Sequence, residues 1–143
     1  MAELTIINGL AGGVVATIAM TILMMALGDD SPPPTAQFLA KYVGDKGAEE
    51  YMMPGMVLHL LYGTTAGIVF VLAASAAGLT IASMTTAVLF GLGYGVVMFI
   101  GAAVFWMNIV LDMDAEPPMV VMFLVFHLVY GGVLGVVLEL GLV

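Results

Sequence analysis

Four long apolar stretches dominate this sequence and leave few folds open to it. They are separated by connections that hold almost all of the charged side chains, and they cover Leu4–Gly28, Met52–Gly78, Ser83–Leu111 and Met119–Leu142. A helix needs about 20 apolar residues to cross a hydrocarbon core of ~30 Å, and each stretch reaches that length. Helices satisfy their own backbone hydrogen bonds in lipid, and no stretch shows the short alternating segments of a membrane β-barrel. The sequence therefore predicts an all-α, multi-pass membrane protein, a four-helix bundle that forms a single transmembrane domain over residues 1–143.

The composition excludes several classes of function. The chain has two basic residues, Lys41 and Lys46, and no arginine, so it cannot neutralise a phosphate backbone and nucleic acid is not a partner. It has no cysteine, which excludes disulfides, iron–sulfur clusters and cysteine nucleophiles. The formal net charge is −8, and the acidic side chains lie in connections or near the chain ends, where they face water. We expect acidic loops of this kind in a protein from a halophilic archaeon.

The first connection, Asp29–Tyr51, is the longest and has structure of its own. It opens with Asp-Asp-Ser-Pro-Pro-Pro, and proline ends the first helix because it can neither donate a backbone hydrogen bond nor continue the helix. Apolar residues then recur at helical spacing up to Gly44, which is typical of a helix stop; they are Phe38, Leu39, Tyr42 and Val43. We therefore predict a short amphipathic helix that lies at the membrane interface.

An internal repeat relates the second and fourth stretches. Val57–Val69 reads VLHLLYGTTAGIV and Val125–Val137 reads VFHLVYGGVLGVV. Apart from valines at both ends, the matched pairs are His59/His127, Leu60/Leu128, Tyr62/Tyr130, Gly63/Gly131 and Gly67/Gly135. We therefore predict a tandemly duplicated two-helix hairpin, with repeats at about residues 4–78 and 83–142. Because each repeat has an even number of spans, the copies point the same way about an axis along the membrane normal.

Pairs of glycines four residues apart occur in all four stretches. They are Gly9 and Gly13, Gly63 and Gly67, Gly91 and Gly95, and Gly131 and Gly135. Between apolar helices in lipid, small residues let backbones approach and make dispersion contacts that large side chains would block. We expect these glycines to pack the helices of one monomer, and an oligomer interface is the alternative.

The two histidines are the strongest candidates for a functional centre. His59 and His127 lie roughly 10–13 Å inside their spans at ~1.5 Å per residue, where an ionisable side chain usually faces the bundle interior or a cavity. Two imidazoles from related helices would hold a b-type haem iron axially, with Tyr62 and Tyr130 on nearly the same face and glycines making room for the macrocycle. A proton or ion path through the pair is a second alternative. The third is that each imidazole hydrogen-bonds a neighbour and fixes helix packing.

Methionine is unusually frequent, with 13 residues in the chain. Met52, Met53 and Met56 precede His59 on the same helix and would suit a soft ion such as Cu(I), while the second repeat has Met119 and Met122 in loosely similar places. Filling apolar gaps is the ordinary role of methionine, and two histidines are too few for a closed zinc site. We therefore predict no metal site.

The whole pattern resembles one family of small membrane proteins. A glycine-rich first span (Gly9–Ala16), a second span with His59, a third span that ends before Pro117-Pro118 and a fourth with His127 are similar to the YagU-like group of four-span proteins. The resemblance covers nearly the whole chain and implies the architecture, termini on the cytoplasmic side and a link to acid tolerance. It supplies no catalytic residue. The chain departs from the bacterial members in lacking their basic terminal segments and in having shorter, acidic loops.

Orientation and activity follow less directly. The two lysines of the first connection would place that loop in the cytoplasm by the positive-inside rule, against the resemblance, so the orientation stays open.

No carboxylate lies mid-span and no catalytic triad can be recognised, so we expect no enzyme. We expect a structural or accessory subunit of the cell membrane with a paired-histidine centre between the second and fourth spans. Its partners would be the lipid bilayer and a homo-oligomer or a larger membrane complex. A haem electron carrier and an oligomeric small channel or carrier are the alternatives.

Overall fold

Helices make up most of the described part of the chain. The computed structural model describes residues 4–28 and 30–141. Its five α-helices are α1 (Ile6–Leu27), α2 (Pro34–Tyr42), α3 (Met52–Ala76), α4 (Met84–Ala102) and α5 (Pro117–Leu140). A short 3₁₀ helix, Ala48–Tyr51, leads into α3, and a π-helical segment, Ala103–Val110, continues α4 without a break.

Four helical segments are long and apolar enough to cross a membrane. They are Ile6–Leu27, Ala48–Ala76, Met84–Val110 and Pro117–Leu140. The prediction of an all-helical protein with four helices that can span a membrane is therefore confirmed. Glu3 and Asp29, which the sequence places in water-facing positions, and Leu142, where the fourth stretch was predicted to end, lie outside the described residues.

The ends of these helices follow local chemistry. The side-chain oxygens of Thr5 and Ser83 cap α1 and α4, each accepting a hydrogen bond from the backbone N–H three residues later, at 3.1 and 3.3 Å. Pro34 and Pro117 occupy the first positions of α2 and α5, where the missing N–H costs nothing. Gly141 ends α5 in the left-handed conformation, with φ of 57°, which glycine adopts without strain.

The helix predicted in the first connection is present and is held against the end of the third span. The Lys41 ammonium donates to the carbonyls of Val110 and Leu111 at 3.0 and 3.3 Å, and the Tyr42 hydroxyl donates to the Val110 carbonyl at 2.7 Å. These carbonyls belong to the carboxyl end of a helix, where a cation is electrostatically favoured. The helix ends at Tyr42, two residues before the predicted stop at Gly44.

The spanning helices follow the order α3, α1, α5, α4 around the bundle. α1 packs against both α3 and α5, and α4 packs against α5. α3 and α4 meet mainly through side chains. The Tyr94 hydroxyl donates to the Ala66 carbonyl at 2.8 Å, and its ring centroid lies 4.9 Å from that of Phe70.

Two seams of glycine bring the backbones of paired helices into direct contact. Between α1 and α3, a Cβ atom added to Gly9 or Gly13 would lie 2.8 or 2.9 Å from a carbonyl oxygen of the other helix. Between α4 and α5, a Cβ atom on Gly91 or Gly131 would overlap the carbonyl of the other glycine. All eight glycines of the four predicted pairs lie against a neighbouring helix of the same chain. The bundle is thus held by contacts that no larger residue permits.

The two seams differ by one helical turn. Gly67 of α3 lies between Gly9 and Gly13 of α1. Gly131 of α5 lies between Gly91 and Gly95, the matching pair of α4. In the sequence repeat, Gly131 corresponds to Gly63 and not to Gly67. The hairpins therefore use matched glycines in different registers, and their surroundings are not equivalent.

The close contact at Gly91 can be tested against a second glycine of the same helix. A Cβ atom at Gly93 meets no described atom within 4 Å, whereas one at Gly91 overlaps the Gly131 carbonyl. We expect Gly91→Ala to lower the free energy of unfolding by about 1–3 kcal/mol through overpacking. Gly93→Ala should be neutral or stabilising by up to about 1 kcal/mol because alanine favours the helix. Unfolding in SDS, followed by circular dichroism, measures both, and an equal loss in the two variants would contradict the seam.

Candidate functional site

The two histidines lie inside the bundle on different helices. His59 is part-buried on α3, and His127 is 5% exposed on α5. α1 contributes Thr21, whose hydroxyl lies 3.4 Å from Nδ1 of His59. The two histidines and Thr21 thus come from three different helices, and the pairing of the histidines stays a prediction.

The environment of His127 fixes its protonation on one nitrogen. Its Nδ1 lies 2.7 Å from the backbone carbonyl oxygen of Phe123, one turn earlier on α5. A carbonyl only accepts hydrogen bonds, so Nδ1 carries a proton, and in the neutral imidazole Nε2 keeps its lone pair. The ring is also held edge-on against Phe123, with centroids 4.5 Å apart, and against Phe99 at 6.2 Å. His127 is thus oriented by its own helix and by α4.

The two tyrosines of the repeat have different roles. The Tyr130 hydroxyl donates to the Gly63 carbonyl at 2.6 Å, which ties α5 to α3 across the bundle, and the residue is 3% exposed. Tyr62 is 36% exposed, and its ring meets Trp106 edge-on with centroids 6.1 Å apart. The sequence placed both tyrosines beside the histidines on nearly the same face. The structure places Tyr130 in the interior and Tyr62 on the side that α3 and α4 share.

The glycines near the histidines are closely packed. The space beneath the imidazoles was expected to come from glycines, but those glycines are in contact with other backbones. Gly95 lies against the His127 carbonyl, and Gly131 lies against Gly91. Phe99 and Phe123 cover the His127 ring. Gly95 and Gly131 therefore leave no open space of their own beside the His127 ring.

Clusters of hard or borderline metal ligands are also missing from the described residues. Within residues 4–28 and 30–141, no group of three or more histidine, aspartate and glutamate side chains could hold a metal ion. Two imidazoles alone leave a conventional zinc site two ligands short.

A cavity of about 470 Å³ opens beside the histidine pair. It lies between α1, α3, the π-helical segment and the start of α5, at the end of the bundle that carries the first and third connections. Thr21 and Phe123 are among the lining residues that lie farthest from the connections. Because Thr21 contacts His59 and the Phe123 carbonyl accepts from His127, the inner end of the cavity borders the histidine centre.

Methionine dominates the lining of this cavity. Eight of the lining residues are methionines: Met24, Met25, Met52, Met56, Met107, Met113, Met119 and Met122. We refer to this space as the methionine cavity. The sequence indicated Met52, Met56, Met119 and Met122 as potential soft ligands; the fifth candidate, Met53, is 78% exposed and does not line the cavity.

The other four methionines were missed because they come from different elements. Met24 and Met25 lie on α1, Met107 lies in the π-helical segment and Met113 lies in the third connection. The total of 13 methionines was the available signal, but no local spacing shows which of them meet in space.

A family model matches residues 4–141 of the chain. The chain belongs to a family of unknown function, DUF6789. No curated protein and no solved structure matches it. The resemblance to the YagU-like group and the halophilic archaeal source stay predictions, since the family match bears on neither. For this member of DUF6789, inferences about function must come from the histidine pair and the methionine cavity.

The asymmetry of the two tyrosines gives a matched test. We expect Tyr130→Phe to lower the free energy of unfolding by about 0.5–1.5 kcal/mol because it removes a buried hydrogen bond between α5 and α3. Tyr62→Phe should change it by less than about 0.5 kcal/mol, as is usual for substitutions away from buried networks. SDS unfolding of the purified variants measures the difference. Equal effects would show that the two repeats have equivalent surroundings.

Proposed function

We propose that this DUF6789 protein is a small, non-catalytic accessory subunit of the cell membrane, with the paired histidines between α3 and α5 as its polar centre. The proposal rests on one observation. The polar side chains of this centre make their hydrogen bonds within the helix bundle. Thr21 meets His59, His127 bonds to its own helix, and Tyr130 joins α5 to α3. A catalytic centre would instead leave an acid, base or nucleophile directed at a reacting group.

The distribution of carboxylates supports a role without catalysis. Glu139 is the single described carboxylate within a spanning α-helix, and it lies in the last turn of α5. The other described carboxylates lie in the first and third connections or in the 3₁₀ helix that leads into α3. Proton-driven transport and acid–base hydrolysis both use carboxylates or equivalent groups inside the bundle.

The use of the glycines favours an accessory subunit over an oligomeric channel. Small residues let helices associate closely in lipid, so glycine pairs free of contacts within the chain would favour an oligomer. The eight paired glycines already lie against helices of the same chain.

The proposal includes an interfacial position for α2 and a tandem duplication of the hairpin. The position of α2 is supported by an aromatic cluster at the end of the third span. The Phe38 ring lies 5.4 Å from the rings of both Tyr42 and Trp106, and aromatic residues are enriched where membrane meets water. The duplication is supported by the matched glycine seams of α1 with α3 and of α4 with α5.

Purification in mild detergent from native membranes tests this proposal. We expect the chain, 14.9 kDa by itself, to elute in a larger particle with one partner protein at fixed stoichiometry and with no Soret band. A Soret band that is lost in His59→Leu would make it a haem carrier. Ion flux from vesicles that contain only an oligomer of this chain would make it a channel.

The structural role of the histidines has its own test. We expect His127→Leu to lower the free energy of unfolding by about 1 kcal/mol because the bond to the Phe123 carbonyl is lost. His59→Leu should cost less, because its contact with Thr21 is long at 3.4 Å and the threonine hydroxyl can bond elsewhere on its helix. Loss of the partner from the purified particle in either variant, with unfolding unchanged, would argue against a packing role.

A further inference from the structure

We propose that the methionine cavity binds a soft monovalent cation, Cu(I) or its redox-stable analogue Ag(I), through thioether sulfur atoms. This site goes beyond the accessory role and does not depend on it. It also differs from the copper alternative considered from the sequence, because it uses neither His59 nor Met53 and draws on methionines from several elements.

The choice of side chains is the first argument. The chain has 46 leucines, isoleucines and valines against 13 methionines. In the cavity the balance is reversed, with eight methionines and Leu27 as the single residue of the other three types among the described lining residues. A cavity for a purely apolar ligand would gain as much from leucine, whereas thioether sulfur is the feature that selects Cu(I).

The positions of the methionines are the second argument. Met52 and Met56 are separated by one turn of α3, and Met119 and Met122 by three residues on α5, so each pair lies on one helix face. Met107 comes from the π-helical segment and is 4% exposed. Methionine has three rotatable side-chain bonds, so sulfurs from facing helices can converge on one ion within this space.

The π-helical segment contributes to this arrangement. The Leu111 N–H donates to the Trp106 carbonyl at 2.9 Å, five residues earlier, in place of the usual four. Such widened turns are rare in proteins as a whole. Those that do occur are often found at functional sites. Here the segment carries Met107, which lines the cavity, and ends beside Met113, which also lines it.

The charge at this end of the bundle is the third argument. The first and third connections and the 3₁₀ helix carry seven described carboxylates: Asp30, Asp45, Glu49, Glu50, Asp112, Asp114 and Glu116. They also carry both lysines, and these are engaged, Lys41 with backbone carbonyls and Lys46 with Glu50 at 3.1 Å. Glu116 lines the cavity. Acidic surroundings raise the local concentration of cations, which an uncharged apolar ligand would not need.

Replacing methionine by leucine distinguishes a soft-cation site from an apolar pocket. The exchange keeps the volume and hydrophobicity of the side chain and removes its sulfur. The cavity variant carries Met56→Leu, Met119→Leu and Met122→Leu. The control variant carries Met53→Leu, Met84→Leu and Met98→Leu, three methionines that do not line the cavity. Ag(I) is titrated calorimetrically into the full chain in detergent and chloride-free buffer. Circular dichroism and gel filtration establish that each variant is folded.

We expect one saturable Ag(I) site in the unmodified protein, at least about tenfold weaker in the cavity variant and unchanged in the control. The absence of saturable binding, or equal affinity in all three proteins, would overturn the site. A lipid that co-purifies equally with the unmodified protein and the cavity variant, without Ag(I) binding, would identify an apolar pocket instead. These results are independent of the partner in the purified particle, so the site and the accessory role can fail separately.

Discussion

Direct contact between glycine backbones is the constraint on which this structure depends. Lipid tails are as apolar as leucine side chains, so helices in a membrane gain little by burying large apolar residues against each other. They gain by approaching closely enough for backbones to touch. Gly9 and Gly13 do this for α1 with α3, and Gly91 and Gly131 do it for α4 with α5. Each hairpin is therefore a close pair before any larger side chain contributes.

The remaining features follow from how the two close pairs are joined. α1 packs against α5, while α3 and α4 meet through Tyr94 and Phe70, so the bundle is tight on one side and connected by side chains on the other. The polar groups of the interior, His59 and His127 among them, lie between these elements. At the end that carries the acidic connections, the helices leave a cavity whose inner end borders the histidines. The polar centre and the methionine cavity are thus neighbours within the bundle.

Local patterns predicted the helices that can span a membrane and the close-packing glycines, because hydropathy and four-residue spacing can be read directly from the sequence. They did not predict which glycines meet. The one-turn difference between the seams places Gly131, not Gly135, between Gly91 and Gly95, and only the side chains around each helix decide that register. Nor did they predict that Tyr130 is buried while Tyr62 is 36% exposed. Met107 was missed because a π-helical segment has no local sequence signal.

Whether one chain closes its own bundle can be measured by disulfide trapping, since the sequence has no cysteine of its own. A Cβ atom at Gly12 lies 2.8 Å from Leu134 Cδ1, where α1 meets α5. Oxidation of a Gly12→Cys, Leu134→Cys variant in membranes should form a disulfide within the monomer. A Gly93→Cys, Leu134→Cys variant should form none, because Gly93 faces open space. Disulfide-linked dimers of the first variant, or no link at all, would contradict a bundle that a single chain completes through its own glycines.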